Sequence, residues 1–170
     1  LPEPNILGEH QLYNISTSIA AARKIFSVKD DDIKKGIQSI ELKGRLQEIK
    51  KGKLKDIAGN NRLVIDGGHN TAASLSIANW IKNQNQEVNL ICGMLKDKDH
   101  LEFMKSFEGL VKSVTLIDIP NQDSSILKEE FKNKIKDLNL TLNLSKSIKE
   151  SIQSLSKNEN TIILCVGSLY

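Results

Sequence analysis

The chain has 170 residues, 39% of them hydrophobic, which is enough to bury a substantial core and predicts one main domain plus at most a fragment of another. Its net charge of +3 comes from 24 basic and 21 acidic residues spread along the sequence, so no stretch has the basic density of a nucleic-acid footprint. There is no signal-peptide pattern and no apolar run long enough to span a bilayer, so a cytoplasmic protein with neither nucleic acid nor membrane as a partner is the expectation.

The start, Leu1-Pro2-Glu3-Pro4, lacks an initiator methionine and reads as a lead-in within a longer chain. From His10, apolar residues recur at three- and four-residue intervals (Leu12, Ile15, Ile19, Ala22, Ile25, Phe26), which predicts a helix of about four turns with one buried stripe. His10 and Asn14 lie four apart and share a face at its N-terminus, where free backbone N–H groups gather. Asp30 reads as the cap of a shorter helix over 31–39, with Ile33, Ile37 and Ile40 facing inward.

The helical period breaks at 41–49, and the domain boundary is expected near residue 43. Beyond it, apolar runs of four to six residues alternate with amphipathic stretches. Strands are predicted near 45–50, 62–66, 88–93, 113–118, 141–144 and 161–166, and helices near 71–84, 98–107, 124–136 and 147–157. Such alternation predicts an α/β fold with a mostly parallel sheet flanked by helices, because parallel neighbours need crossovers that cover the sheet. Cys92 and Cys165 fall inside apolar runs without a second cysteine nearby, which predicts two buried, reduced thiols.

Polar groups concentrate just after three of these strands: Asp66-Gly67-Gly68-His69-Asn70, then Gly93 through Asp97-Lys98-Asp99, then Gly167-Ser168. The crevice beyond the carboxyl ends of the strands is where open α/β sheets bind ligands. Each segment alone is also an ordinary loop: Asp-Gly-Gly is a common turn, Asn70 suits a helix cap, and Lys-Asp-Lys-Asp suits a solvated surface. Arg45 follows a glycine in a chain whose only other arginines are Arg23 and Arg62, and its planar fork suits bidentate phosphate binding. Walker A, HExxH and CxxC patterns are all missing.

The ordered segments 7–14, Lys43-Gly44-Arg45, Asp66–Asn70, Gly93 with Asp97-Lys98-Asp99, and Gly167-Ser168-Leu169-Tyr170 together resemble the motifs of the folylpolyglutamate synthase and dihydrofolate synthase family, which belongs with the Mur ligases. The resemblance implies that residues 1–43 are the helical end of a central ATPase domain, and that 44–170 are a Rossmann-like C-terminal Mur ligase domain. It implies ATP, Mg2+, L-glutamate, and folate or dihydropteroate as cofactors and partners, with a monomeric full-length enzyme. It further implies that His10, Gln11 and Asn14 lie by the adenine, that Arg45 reaches the phosphates, and that Asp66 accepts from the ribose hydroxyls. His69, Lys98 and Ser168 would line the glutamate pocket, His69 and Lys98 with catalytic roles; Lys98 and Ser168 rest partly on the Mur relatives. Most magnesium ligands and the P-loop would lie outside these residues, so the 170 residues alone are expected to be inactive.

Three positions depart from the family pattern. Leu42 stands where a tryptophan is common, and Gly68 and Thr71 stand where Ala and Pro are common. A Mur-type peptidoglycan ligase domain and a non-catalytic nucleotide-binding module are the alternatives. Gln11 in place of the usual Asn, together with Asp-Gly-Gly-His-Asn, argues against the former.

Overall fold

The computed structural model describes residues 2–4 and 10–168; for His10 it describes the backbone alone. Two helices come first, α1 (His10–Ile25) and α2 (Asp30–Gln38). Then follow β1 (Gln47–Ile49), α3 (Lys53–Ala58), β2 (Arg62–Asp66), α4 (Thr71–Lys82), β3 (Val88–Gly93), α5 (His100–Lys105) and β4 (Ser113–Leu116). The chain continues through α6 (Lys128–Ile135), β5 (Leu142–Leu144), α7 (Ile148–Leu155) and β6 (Ile162–Gly167).

The strands form a six-stranded sheet in the order β1-β2-β6-β3-β4-β5. All neighbours are parallel except the edge pair, where β1 runs antiparallel to β2 with Gln47 opposite Ile65. The last strand is inserted between β2 and β3, matching Val64 to Leu164 on one side and Leu90 to Leu164 on the other. β3 is buried along its whole length, and an apolar run such as Ile162-Ile163-Leu164 suits a strand covered on both faces.

Because successive side chains alternate across a strand, each face builds its own core. Val64, Leu90, Cys92, Val114, Leu116 and Leu164 face α4, α5 and α6, where Ile77, Trp80, Phe103 and Phe131, with Phe107 in the turn just after α5, pack onto them. Leu63, Ile91, Ile117 and Ile163 face the other way, onto Ala58 of α3 and Ile152 and Leu155 of α7. The phenylalanines at 103, 107 and 131 are fully buried, each contributing about 2–3 kcal/mol of apolar burial.

Six strands lie where the apolar runs predict them, but five local expectations are corrected. Helix α3 is an addition: six residues between Gly52 and Gly59, too short and lysine-rich to show a helical stripe. The N-cap of α2 is Lys29, and Asp30 sits in the first helical turn paired with Arg23, where a carboxylate also favours the dipole. The stripe of α1 is only half covered: Ile15 and Ile19 are partly buried against α2, whereas Leu12, Ile25 and Phe26 are more than half exposed. The predicted helix over 124–136 begins only at Lys128, because residues 124–126 bond to the loop after β3 instead. Finally, Cys92 is buried, but Cys165 is only partly so and lines a cavity on the α7 side of the sheet.

Candidate active site

The polar segments after β2, β6 and β3 meet because these are neighbouring parallel strands. Hydrogen bonds then stitch their ends together: Gly167 N–H donates to Gly68 O (3.0 Å) and Ser168 N–H to Gly93 O (3.1 Å). Gly167 is at φ +110°, and a Cβ there would lie 2.0 Å from Gly93 O, so only glycine permits this approach.

Asp66, at the last position of β2, is 7% exposed, and its carboxylate organises the turn. Oδ1 accepts from Gly68 N–H (2.7 Å) and Oδ2 from Leu46 N–H (2.8 Å). Gly67 N–H donates to Gly44 O (2.8 Å), so 44–46 is clasped onto the end of β2. Leu46 is held there at φ 43°, a left-handed conformation costing a leucine about 1–2 kcal/mol, with its side chain buried. Arg45, between the two clasped residues, is exposed and makes no hydrogen bond or ion pair among the described residues. Each oxygen of Asp66 keeps a second lone pair for a further donor.

Gly68 is confined less severely, by side chains: a Cβ would stand 2.8 Å from Ile77 Cδ1 and 2.9 Å from Ala73 Cβ and from Asp66 Oδ1. Beyond it, Asn70 caps α4 by accepting from Ala73 N–H, as the sequence allowed. The His69 ring is partly exposed, and its Nδ1 lies 2.8 Å from Gly67 O. A carbonyl only accepts, so Nδ1 carries the hydrogen and Nε2 of the neutral ring presents a lone pair.

Lys98, after β3, pairs with Asp97 at 2.9 Å. The Lys98 hydrogen bond, helped by the Lys98 charge and opposed by desolvation, holds the Asp97 carboxyl below its ordinary pKa. Asp99 caps α5 by accepting from Glu102 N–H. Ser168 is half-buried and, with Asp66, Gly93, Ile117, Ile119 and Cys165, lines a cavity of about 230 Å³ at this edge.

Asp66, His69, Lys98, Ser168 and the clasped Arg45 are therefore all on the carboxyl edge of the sheet. Gln11 and Asn14 are elsewhere, in an apolar groove of about 430 Å³ between α1 and α2, where Asn14 Nδ2 donates to Gln11 Oε1 (3.0 Å). The His10 side chain lies outside the described residues. Sequence reasoning missed the support beneath Lys98, namely His100 and the 117–127 loop; the turn-rich run Pro120-Asn121-Gln122-Asp123 was the available signal.

Residues 44–169 match the family described as Mur ligase, glutamate ligase domain. The chain belongs to this family. It is similar to the dihydrofolate synthase/folylpolyglutamate synthase of Haemophilus influenzae, 26% identical over 177 residues, covering 94% of this chain and 40% of that protein. A probable bifunctional folylpolyglutamate synthase/dihydropteroate synthase of Halobacterium salinarum is 30% identical over 96 residues, covering 56% of this chain and 11% of that one. Among solved structures, Mycobacterium tuberculosis folylpolyglutamate synthase complexed with ADP and AMPPCP matches with a TM-score of 0.84 at 18% identity, covering 97% of this chain and 39% of that chain. E. coli FolC in complex with DHPP and ADP matches at 0.78 and 22%, covering 99% and 38%. The chain thus spans at most 40% of the length of these relatives.

Proposed function

We propose that residues 44–170 are the glutamate-handling domain of an ATP-dependent ligase that joins L-glutamate to dihydropteroate or a folate through an acyl phosphate, and that residues 1–43 end its central ATPase domain. The observation that carries this reading is the stitching of three strand ends into one polar edge, with Gly167 bonded to Gly68 and Ser168 to Gly93. The identity with the Haemophilus synthase over 94% of the chain supports the substrate class.

In this reading Arg45 contacts the ATP phosphates, and the spare lone pairs of Asp66 accept from the ribose hydroxyls. His10, Gln11 and Asn14 lie towards the adenine. Lys98 and Ser168 bind the carboxylates and backbone of the incoming glutamate. Its ammonium must lose a proton before the nitrogen can attack, and the bare Nε2 of His69 is placed to take it. The C–N bond forms as the carbonyl-to-phosphate oxygen bond breaks, and the second proton of the nitrogen leaves with the phosphate, which departs as hydrogen phosphate. Because acyl phosphates hydrolyse readily, this edge has to close over the reaction and exclude water.

The test is ATP-dependent incorporation of labelled glutamate into dihydropteroate or folate, by this chain alone and by the chain joined to a P-loop ATPase domain. Only the joined protein is expected to be active. Lys98→Ala and Ser168→Ala should raise KM for glutamate, whereas Arg45→Ala should raise KM for ATP. Incorporation by the 170-residue chain alone, or a joined enzyme that uses another amino acid in preference to glutamate, overturns the proposal.

A further inference from the structure

Lys98 sits on a turn rather than on a regular element, yet a group that holds a substrate needs a fixed base. One side of that turn is tied to the loop after β4. Ile126 N–H donates to Met94 O (3.0 Å), Lys96 N–H to Ser124 O (2.8 Å), and Leu95 pairs with Ser125 in an isolated bridge. Ser125, 6% exposed, is itself fixed by accepting from Ile119 N–H (2.9 Å).

The other side converges on a single atom. Leu95 O accepts from Lys98 N–H at 3.3 Å, closing the turn, and from His100 Nε2 at 2.9 Å. The acceptor is a carbonyl, so Nε2 carries the hydrogen. His100 opens α5, is 3% exposed, and meets the Phe131 ring edge-on at 4.9 Å and 64°. Its ring is thereby braced by α6 and can point only a limited way.

We propose that His100 is the positioning residue of the Lys98 turn, its Nε2–H fixing the Leu95 carbonyl so that Lys98 is presented to the incoming amino acid. This rests on the reading of Lys98 as a glutamate contact; His100 itself touches no substrate. The chemistry required at position 100 is a donor at the reach of Nε2 on a side chain that packs against Phe131. Glutamine supplies that donor, and phenylalanine supplies only the packing.

Hydrogen exchange of the 94–99 amides in the 170-residue chain tests the positioning directly. Losing one hydrogen bond is worth about three- to tenfold, so His100→Phe should speed exchange at Lys98 N–H by that factor, while His100→Gln stays within about twofold of the unaltered chain. In the joined enzyme, His100→Phe should raise KM for glutamate by a similar factor and leave kcat and KM for ATP unchanged, with His100→Gln restoring it. Equal exchange in all three chains, or equally fast exchange in both variants, overturns the proposal. So does a rise in KM without a change in exchange. Failure of the underlying reading is separately visible: Lys98→Ala would then leave KM for glutamate unchanged, whatever the exchange data show.

Discussion

Asp66 holds Leu46 by a hydrogen bond from the leucine N–H to carboxylate Oδ2 across twenty residues of sequence, while Oδ1 holds Gly68. The same carboxylate proposed to accept from the ribose is thus a structural clasp that fixes the backbone on both sides of Arg45. Asparagine keeps the shape but offers one acceptor and one NH2, which would face a backbone N–H. Asp66→Asn should therefore destabilise the chain by about 1–3 kcal/mol, read by urea denaturation. On the proposed roles of Asp66 and Arg45, it should also weaken ATP binding by the joined enzyme more than Arg45→Ala does, since it would alter the ribose acceptor and release the arginine together. A stability equal to that of the unaltered chain would show that the clasp is not needed.

The glycines at 167 and 36 separate two roles. A Cβ at 167 meets Gly93 O at 2.0 Å and forces a left-handed φ, so Gly167→Ala combines overpacking with strain and should cost about 3 kcal/mol or more. Gly36 lies inside α2, where a Cβ would have nothing within 4 Å of it, and Gly36→Ala should stabilise by about 0.5–1 kcal/mol. Thermal unfolding of both variants checks the opposite signs.

Much of this was legible in the residues. Runs such as Ile162-Ile163-Leu164, alternating with amphipathic stretches, read as covered strands, and the glycine-rich polar turn after Leu63-Val64-Ile65 marks the polar edge of the sheet. Asn70 as a cap followed from its place before Thr71. What could not be read is what depends on distant partners. The insertion of β6 between β2 and β3 follows from packing across the whole sheet. The second role of Asp66 depends on Leu46, and residues 124–126, polar and amphipathic enough to pass for helix, are spent on hydrogen bonds to Met94 and Lys96. The half-bare stripe of α1 shows the same limit, since periodicity reports a face to be covered and not what covers it.

His100 gives the chain an acid sensitivity with a definite sign. Burial holds its pKa below the ordinary imidazole value, with Leu95 O, Glu130 and Asp99 opposing that shift and Lys134 adding to it. The unfolded chain therefore binds the proton more readily. The stability from the neutral buried ring is fully present above about pH 6.5, the unfolded value, and is lost as pH falls below it towards the lower folded value. Urea midpoints measured from pH 8 to pH 5 should fall on the acid side, and the difference between the unaltered chain and His100→Gln should shrink in the same direction. A difference that stays constant with pH would refute this assignment.

The two thiols should be inert in the folded chain for the same physical reason. Burial pushes the Cys165 thiol up to about 12, and desolvation raises Cys92 still further, with Cys165 nearby adding to it. The thiolate is the nucleophile, so near pH 7.5 almost none is present at either position. Cys165 nevertheless lines the cavity at the site edge, whereas Cys92 is sealed in the core beneath α4 and α5. Reaction with a disulfide reagent such as Ellman's should therefore be slow for the native chain and give both thiols at once in urea. Raising the pH should accelerate Cys165 first, because it alone can meet the reagent without unfolding. Rapid modification of Cys92 in the native state would instead mean that the core opens locally at β3.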